Sequence, residues 1–217
     1  MEKATKIKTA YITHCLEKGT SPASIFSFTK QLKMKEGEFY DHYNSFQSLE
    51  SDIWLGFFEE TIAKIQAEEV YASYSVREKL LAFYYTWIEV LKQNRSYVLH
   101  SWGQIDKRKL STPSFLTELK KAFKDYASTL VSEGKDSREV QARKYLDERY
   151  PDAFWLQLVI VLDFWAKDES KGFERTDTMI EKAVNTSFDL MGSTALDSVL
   201  DFAKFIFQQR QPTPFAR

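Results

Sequence analysis

Gly37-Glu38-Phe39-Tyr40-Asp41-His42-Tyr43-Asn44-Ser45 is the stretch on which the fold of this 217-residue chain turns. Phe39 and Tyr43 stand four residues apart, so a short helix over 35–43 puts both rings on one face, where they serve as core. Upstream, Ile25, Phe28 and Leu32 recur at spacings of three and four and define another short helix. The turn Thr20-Ser21-Pro22-Ala23-Ser24 precedes it, with Ser21 before Pro22, or Ser24, as the capping residue. A first helix over 4–18 carries Ile7, Ala10, Tyr11 and Cys15 at helical spacing and has Gly19 as its stop. Three short helices joined by tight turns, all before residue 45, make a helix-turn-helix unit.

The pattern changes from Gln47 onward. Residues 47–69 form one long amphipathic stretch whose apolar face holds Leu49, Ile53, Trp54, Phe57, Phe58, Ile62 and Ile65. Residues 76–93 repeat the habit with Leu80, Leu81, Tyr84, Trp87, Ile88 and Leu91. Shorter helices are expected over 95–105, over 114–132 with a break at Gly134, and over 137–149 with a stop at Tyr150-Pro151. Residues 152–167 are apolar on nearly every side, which means burial in a core or in a subunit interface. Beyond the loop 167–172, Thr176 can cap a helix running to about residue 191, and Gly192-Ser193 separates it from a last helix over 194–209. The tail from Gln211 is expected to fray. The fold class is therefore all-α: a three-helix unit over 1–46 and a larger helical bundle over 47–217.

Composition narrows the function classes. Seven Gly and five Pro are too few punctuators for many short strands, while 17 Phe, 11 Tyr and five Trp supply bulky rings for a core or for the walls of an apolar cavity. Cys15 is the single cysteine, so no internal disulfide can form, and a buried apolar role is expected for it. The start Met1-Glu2-Lys3-Ala4-Thr5-Lys6 lacks an apolar leader core. The most apolar run, 153–166, is interrupted by Gln157 and Asp163 and falls short of a membrane span. A soluble, cytoplasmic protein is expected. His14, His42 and His100 lie far apart in sequence, without metal-ligand spacing. No nucleophile elbow, phosphate-cradling glycine loop or dinucleotide fingerprint is present, so neither a cofactor nor an enzymatic activity is expected. The net charge of −1 leaves any attraction to nucleic acid to a local patch.

The N-terminal unit resembles the DNA-binding domain of the TetR family of transcriptional regulators, without a gap over about 43 residues. Ile7 and Ala10, then Gly19, then Ser24 and Ile25 fall at that family's positions, and Leu49 closes the match. Its most specific part is Gly37, Phe39, Tyr40, His42, Tyr43 and Ser45, close to the family's glycine, leucine, tyrosine, histidine, phenylalanine and serine. The resemblance implies a homodimer that binds double-stranded DNA and answers to a small apolar or aromatic ligand. It points to Lys33, Lys35, Glu36, Gly37, Tyr40 and His42 as the DNA-facing residues, Lys35 opening the helix where backbone N–H groups also meet a phosphate. The ligand, in the family, sits between the long helices of the second domain, here among Trp54, Phe57, Phe58, Tyr84, Tyr85, Trp87, Trp102 and Phe123, unless the rings fill that space themselves. Two-fold packing of 152–167 and 176–191 implies an interface built from Phe154, Trp155, Leu158, Leu162, Trp165, Ile180 and Val184.

The sequence departs from the family in ways that bear on DNA. Lys33-Met34-Lys35 replaces a glycine-valine-serine turn, and Phe46 stands where a phosphate-gripping lysine is usual. The recognition stretch carries Glu36, Glu38 and Asp41, and carboxylates repel phosphates. Residues 1–50 hold seven lysines against six carboxylates and no arginine, the commonest reader of guanine. A second similarity covers Phe164, Trp165, Asp168, Ser170, Thr176 and Ile180. It is to lipid-binding accessory proteins of ubiquinone synthesis, which keep a TetR-like architecture without acting as repressors. It implies an alternative function: binding a lipid or isoprenoid, with little or no affinity for DNA.

Overall fold

The computed structural model describes residues 2–105, 112–143 and 146–192, and every regular element among them is helical. Three helices form the N-terminal head: α1 (Glu2–Lys18), α2 (Ile25–Gln31) and α3 (Glu36–Tyr40). Six form the body: α4 (Phe46–Ala67), α5 (Val76–Gln93), α6 (Arg95–Gly103), α7 (Thr117–Asp136), α8 (Tyr150–Ala166) and α9 (Glu174–Gly192). Among the described residues no helix is long and apolar enough to cross a membrane.

Local chemistry sets the boundaries. Gly19, at φ 70°, ends α1 and returns its N–H to the Cys15 carbonyl at 2.8 Å. Ser24 caps α2 by accepting the N–H of Ser27 at 3.1 Å. Ser45 does the same for α4 through Ser48, and Ser75 for α5 through Glu78.

The head closes on an aromatic cluster. Phe28 and Phe39 meet edge to face at 6.3 Å, and Phe46 reaches back from the first turn of α4 to stack on Tyr11 at 5.4 Å. Polar ties fasten this cluster to α4. The Tyr11 hydroxyl donates to Glu50 at 2.7 Å, the Tyr43 hydroxyl donates to Asp52 at 2.6 Å, and Lys8 pairs with the same carboxylate at 2.7 Å.

In the body, α4 packs on α5 and α7, α7 on α8, and α5 and α8 on α9. Phe83 sits at the centre, its ring 5.3 Å from Phe123, 5.2 Å from Tyr126 and stacked 6.1 Å from Trp87. The two polar residues that interrupt the apolar run of α8 both have tertiary partners. Gln157 accepts from the Tyr84 hydroxyl at 3.0 Å and donates to Ser187 at 2.9 Å, linking α5, α8 and α9. Asp163 accepts the Trp102 indole N–H at 3.2 Å.

Three expectations about elements are corrected. Gly134 does not break α7, which runs on to Asp136. Its missing side chain instead lets the chain fold back over it: a Cβ there would lie 2.6 Å from Val140 Cγ2, and the Val140 N–H donates to the Gly134 carbonyl at 2.8 Å. That return path replaces the helix expected over 137–149. Arg138 takes φ 66°, and the only helical turn described there is the 3-10 turn Asp147–Arg149. Glu139, carried on this segment, accepts the N–H groups of Val76 and Arg77 at 3.1 and 3.3 Å and so caps α5 from a distance. Lastly, Thr176 does not cap α9 but is buried inside it. Asp168 supplies the cap, accepting from the Thr176 N–H at 2.9 Å and its hydroxyl at 2.6 Å, with Ser170 on its other oxygen. The expected helix over 194–209 and the tail lie outside the described residues.

Candidate functional site

The head presents one face outward. Lys33, Lys35, Glu36, Gly37, Tyr40 and His42 are all exposed, whereas Phe39 on α3 and Tyr43 just beyond its end are buried. Burial of Phe39 in the aromatic cluster leaves the other side of α3 to solvent, and each of the six candidate DNA-facing residues, on α3 or in the turns that flank it, is exposed. Lys33 forms the tight turn from α2 and holds a left-handed backbone at φ 54°, the place where the resemblance led one to expect glycine.

Charge on this face is less acidic than the composition suggests. Glu38 points back to its own helix, accepting the Lys35 N–H at 2.8 Å and pairing with Lys3 at 2.7 Å. The Lys3 hydrogen bond, reinforced by the backbone one, holds its carboxyl below the usual range. Glu36 and Asp41 remain as the exposed acids. The same contact takes up the Lys35 N–H, so that donor is engaged by Glu38. Phe46 is half-buried in the head cluster, which explains why no cation occupies that position here.

The eight residues proposed to surround a ligand fill space with one another. Trp54, Phe57, Phe58, Tyr84, Trp87, Trp102 and Phe123 are buried, and Tyr85 is half-buried with its hydroxyl on Glu181 at 3.2 Å. Trp54 packs on Phe57 at 6.0 Å and Trp102 at 6.4 Å, and its indole N–H donates to Ser101 at 3.0 Å. Open volume lies instead to one side of them, in a groove of about 550 Å³ between the end of α6, the 3-10 turn Ser114–Leu116, α7 and α8. Trp102 is the one residue of the eight that lines it, joined by Leu116, Lys120, Trp155, Ile160 and Phe164.

The seven residues proposed for a dimer interface are likewise spent within the chain. Phe154, Trp155, Leu158, Leu162, Trp165, Ile180 and Val184 are all at least nine-tenths buried in the single protomer, so they cannot also offer accessible surface. The outward ridge of α8 is Leu156, Ile160 and Phe164, exposed by 58%, 46% and 38% and spaced by four. Beside it on α9 lie the half-buried Met179, which shares a shallow depression with Phe164, and the exposed Leu190. The i, i+4 spacing of that ridge was present in the sequence, but a helix apolar all round does not reveal which stripe faces out.

Residues 165–176 owe their pattern to architecture. Asp168 is buried, which works to raise its pKa, yet the hydrogen bonds from Thr176 and Ser170 win and bring it to about 2. The Arg95 guanidinium lies between the rings of Trp165 and Phe173, 4.5 and 4.6 Å from their centres, and donates to the carbonyls of Trp165 and Asp168 at the end of α8. Among the described residues no three of His, Cys, Asp and Glu come together as a metal site, and His14, His42 and His100 stay on separate elements.

Residues 79–206, more than half of the chain, match the sequence model of the tetracyclin repressor-like C-terminal domain. The chain belongs to the tetracyclin repressor-like, or TetR, family. Solved structures agree with this TetR architecture. A protein of Syntrophomonas wolfei assigned to the TetR family of transcriptional regulators superposes with a TM-score of 0.67 at 15% identity, over 86% of this chain and 95% of that one. A bacterial regulatory protein in the TetR family from Rhodococcus RHA1 gives 0.55 at 20% identity, over 85% and 96%. A Rhodococcus sp. RHA1 protein of unknown function gives 0.56 at 13%, over 88% and 95%. At these identities the likeness is one of fold. Comparison with curated proteins gave no match. The TetR head accounts for the exposed α3, and the TetR body for the long helices that carry the groove.

Proposed function

We propose that this TetR-family chain is a non-enzymatic transcriptional regulator that binds double-stranded DNA as a homodimer and answers to a small apolar ligand. The observation that supports this is the exposure of Lys33, Lys35, Gly37, Tyr40 and His42, on α3 and in the turns beside it, while Phe39 is buried. Gly37 strengthens it. A Cβ at that position would meet nothing within 4 Å, so packing does not require glycine there. Glycine in a helix costs about 0.5–1 kcal/mol against alanine, a cost that makes sense if a DNA backbone must approach closely. Dimerisation would use the ridge Leu156, Ile160, Phe164 with Met179 and Leu190, an apolar surface that a lone chain would leave in water. A ligand in the groove would change how α8 sits against α7, and with it the spacing of two recognition helices that must match half-sites about one DNA turn apart.

Fluorescence anisotropy with a labelled random duplex tests the DNA arm. Micromolar or tighter binding is expected at low salt, weakening steeply as salt rises, because the affinity comes from lysine–phosphate contacts. Lys35→Glu should abolish it while the protein stays dimeric. Absence of binding at about 50 mM salt would overturn the proposal.

One observation favours a second function, that of a lipid- or isoprenoid-binding accessory protein. Phe46 has joined the head's aromatic core at the position of a phosphate-gripping lysine, and Glu36 and Asp41 face outward nearby. Native mass spectrometry of the purified protein separates the two, since a co-purified lipid on a chain inert to DNA would select the second.

A further inference from the structure

Among the described residues that line the groove beside α8, Lys120 is a cation with no carboxylate in an ion pair with it. Lys120, half-buried on α7, places Nζ 3.3 Å from the Thr112 hydroxyl and 5.9 Å from the centre of the Trp155 ring. Among the described residues no carboxylate pairs with it. The other ammonium at the rim, Lys167, is already engaged by Asp163 at 2.5 Å, and Asp163 also takes the Trp102 N–H. Asp152, whose carboxyl feels the field of Lys120, is held by Lys124 at 2.8 Å. The rest of the lining is largely hydrocarbon and ring, with Ile105, Leu116, Val159 and Ile160 between the two indoles of Trp102 and Trp155.

We propose that this groove takes an amphipathic molecule with an apolar body and one carboxylate-type anionic head, the head seated on Lys120 Nζ. The inference rests on the groove being the ligand site of the proposed regulator and adds the chemical class. An ammonium pressed against apolar walls sits where the local dielectric is below that of water, so an anion brought to it gains more than it would at an open surface. A neutral apolar guest would strip water from Lys120 and return nothing, and a cationic one would be repelled. The volume of about 550 Å³ suits a guest of the size that small-molecule sites commonly hold.

Isothermal titration calorimetry on the full chain, with dodecanoate, dodecanol and dodecylammonium below their micellar concentrations, tests it. Saturable binding of one dodecanoate per chain is expected, about tenfold or more tighter than dodecanol, with dodecylammonium weakest. Lys120→Met keeps the stem and removes the charge, so it should bring the acid and the alcohol level. Lys120→Arg should retain the preference, and Lys120→Glu should transfer it to dodecylammonium. Circular dichroism and the unfolding midpoint establish that each variant is folded. Equal affinity for acid and alcohol in the unaltered protein, or a preference indifferent to Lys120→Met, overturns the anionic head and leaves an apolar ligand site standing. Failure of all three probes overturns the groove as the ligand site as well.

Discussion

Lys33 keeps a left-handed backbone without glycine's freedom in the turn between α2 and α3, its N–H donating to the Lys30 carbonyl at 3.2 Å. Such a conformation costs an ordinary residue roughly 1–2 kcal/mol. Lys33→Gly should therefore raise stability by about 0.5–1 kcal/mol after the added freedom of the unfolded chain is counted, seen as a higher urea midpoint with an unchanged slope. If Lys33 also meets a phosphate, the same variant binds duplex more weakly and with a shallower salt dependence. Gly37 supplies the complementary experiment. With open space around its Cα, Gly37→Ala should stabilise the head by about 0.5–1 kcal/mol and yet reduce affinity for DNA, read by thermal unfolding and anisotropy on the same preparation. A variant that gains stability and loses nothing in binding would remove Gly37 from the interface.

Among the elements, α9 depends most visibly on a residue outside itself. Asp168 accepts from both Thr176 and Ser170, and its pKa of about 2 lies below the ordinary 3.8. Because the folded value is depressed, its contribution is present in full above about pH 4 and is lost as pH falls toward 2. Asp168→Asn should flatten the decline in urea midpoint between pH 5 and pH 3, and Asp168→Ala should cost about 1–2 kcal/mol at neutral pH. The sequence showed helices well where a long apolar period runs unbroken, as over 76–93. It misled where a remote group does the capping. Asp168 stands eight residues before Thr176, and Glu139 more than sixty after Val76, distances at which local pattern is blind. Gly134 misled for a related reason: its smallness serves a crossing chain, not a helix end.

For the molecule as a whole, the head was legible and the body only in outline. The helix-turn-helix unit could be read from its spacing, while the burial of Phe39 and Tyr43 follows from the aromatic cluster they join. Trp102 and Trp155 could not be told from ring-filled core, because which aromatic borders empty volume depends on how α6, α7 and α8 meet. The same limit hid the outer ridge of α8 behind its inner one. If that surface joins two chains, Leu190→Asp, which lies outside the groove lining, should convert the dimer to monomer by sedimentation velocity. Leu190 is 53% exposed, so the monomer should stay folded by circular dichroism. A dimer that survives the substitution would place the interface elsewhere.

Helix α4 starts inside the aromatic cluster of the head, at Phe46, and its 22 residues end deep along the body. At 1.5 Å per residue it is a rod of about 33 Å, with Phe46 in the head cluster at one end and Ile65 buried near the other. A swing of only about 5° at the far end would carry the near end through roughly 3 Å, close to the step between adjacent base pairs. If two such chains read DNA together as proposed, motion too small to reshape the body would be enough to throw them out of phase with its sequence.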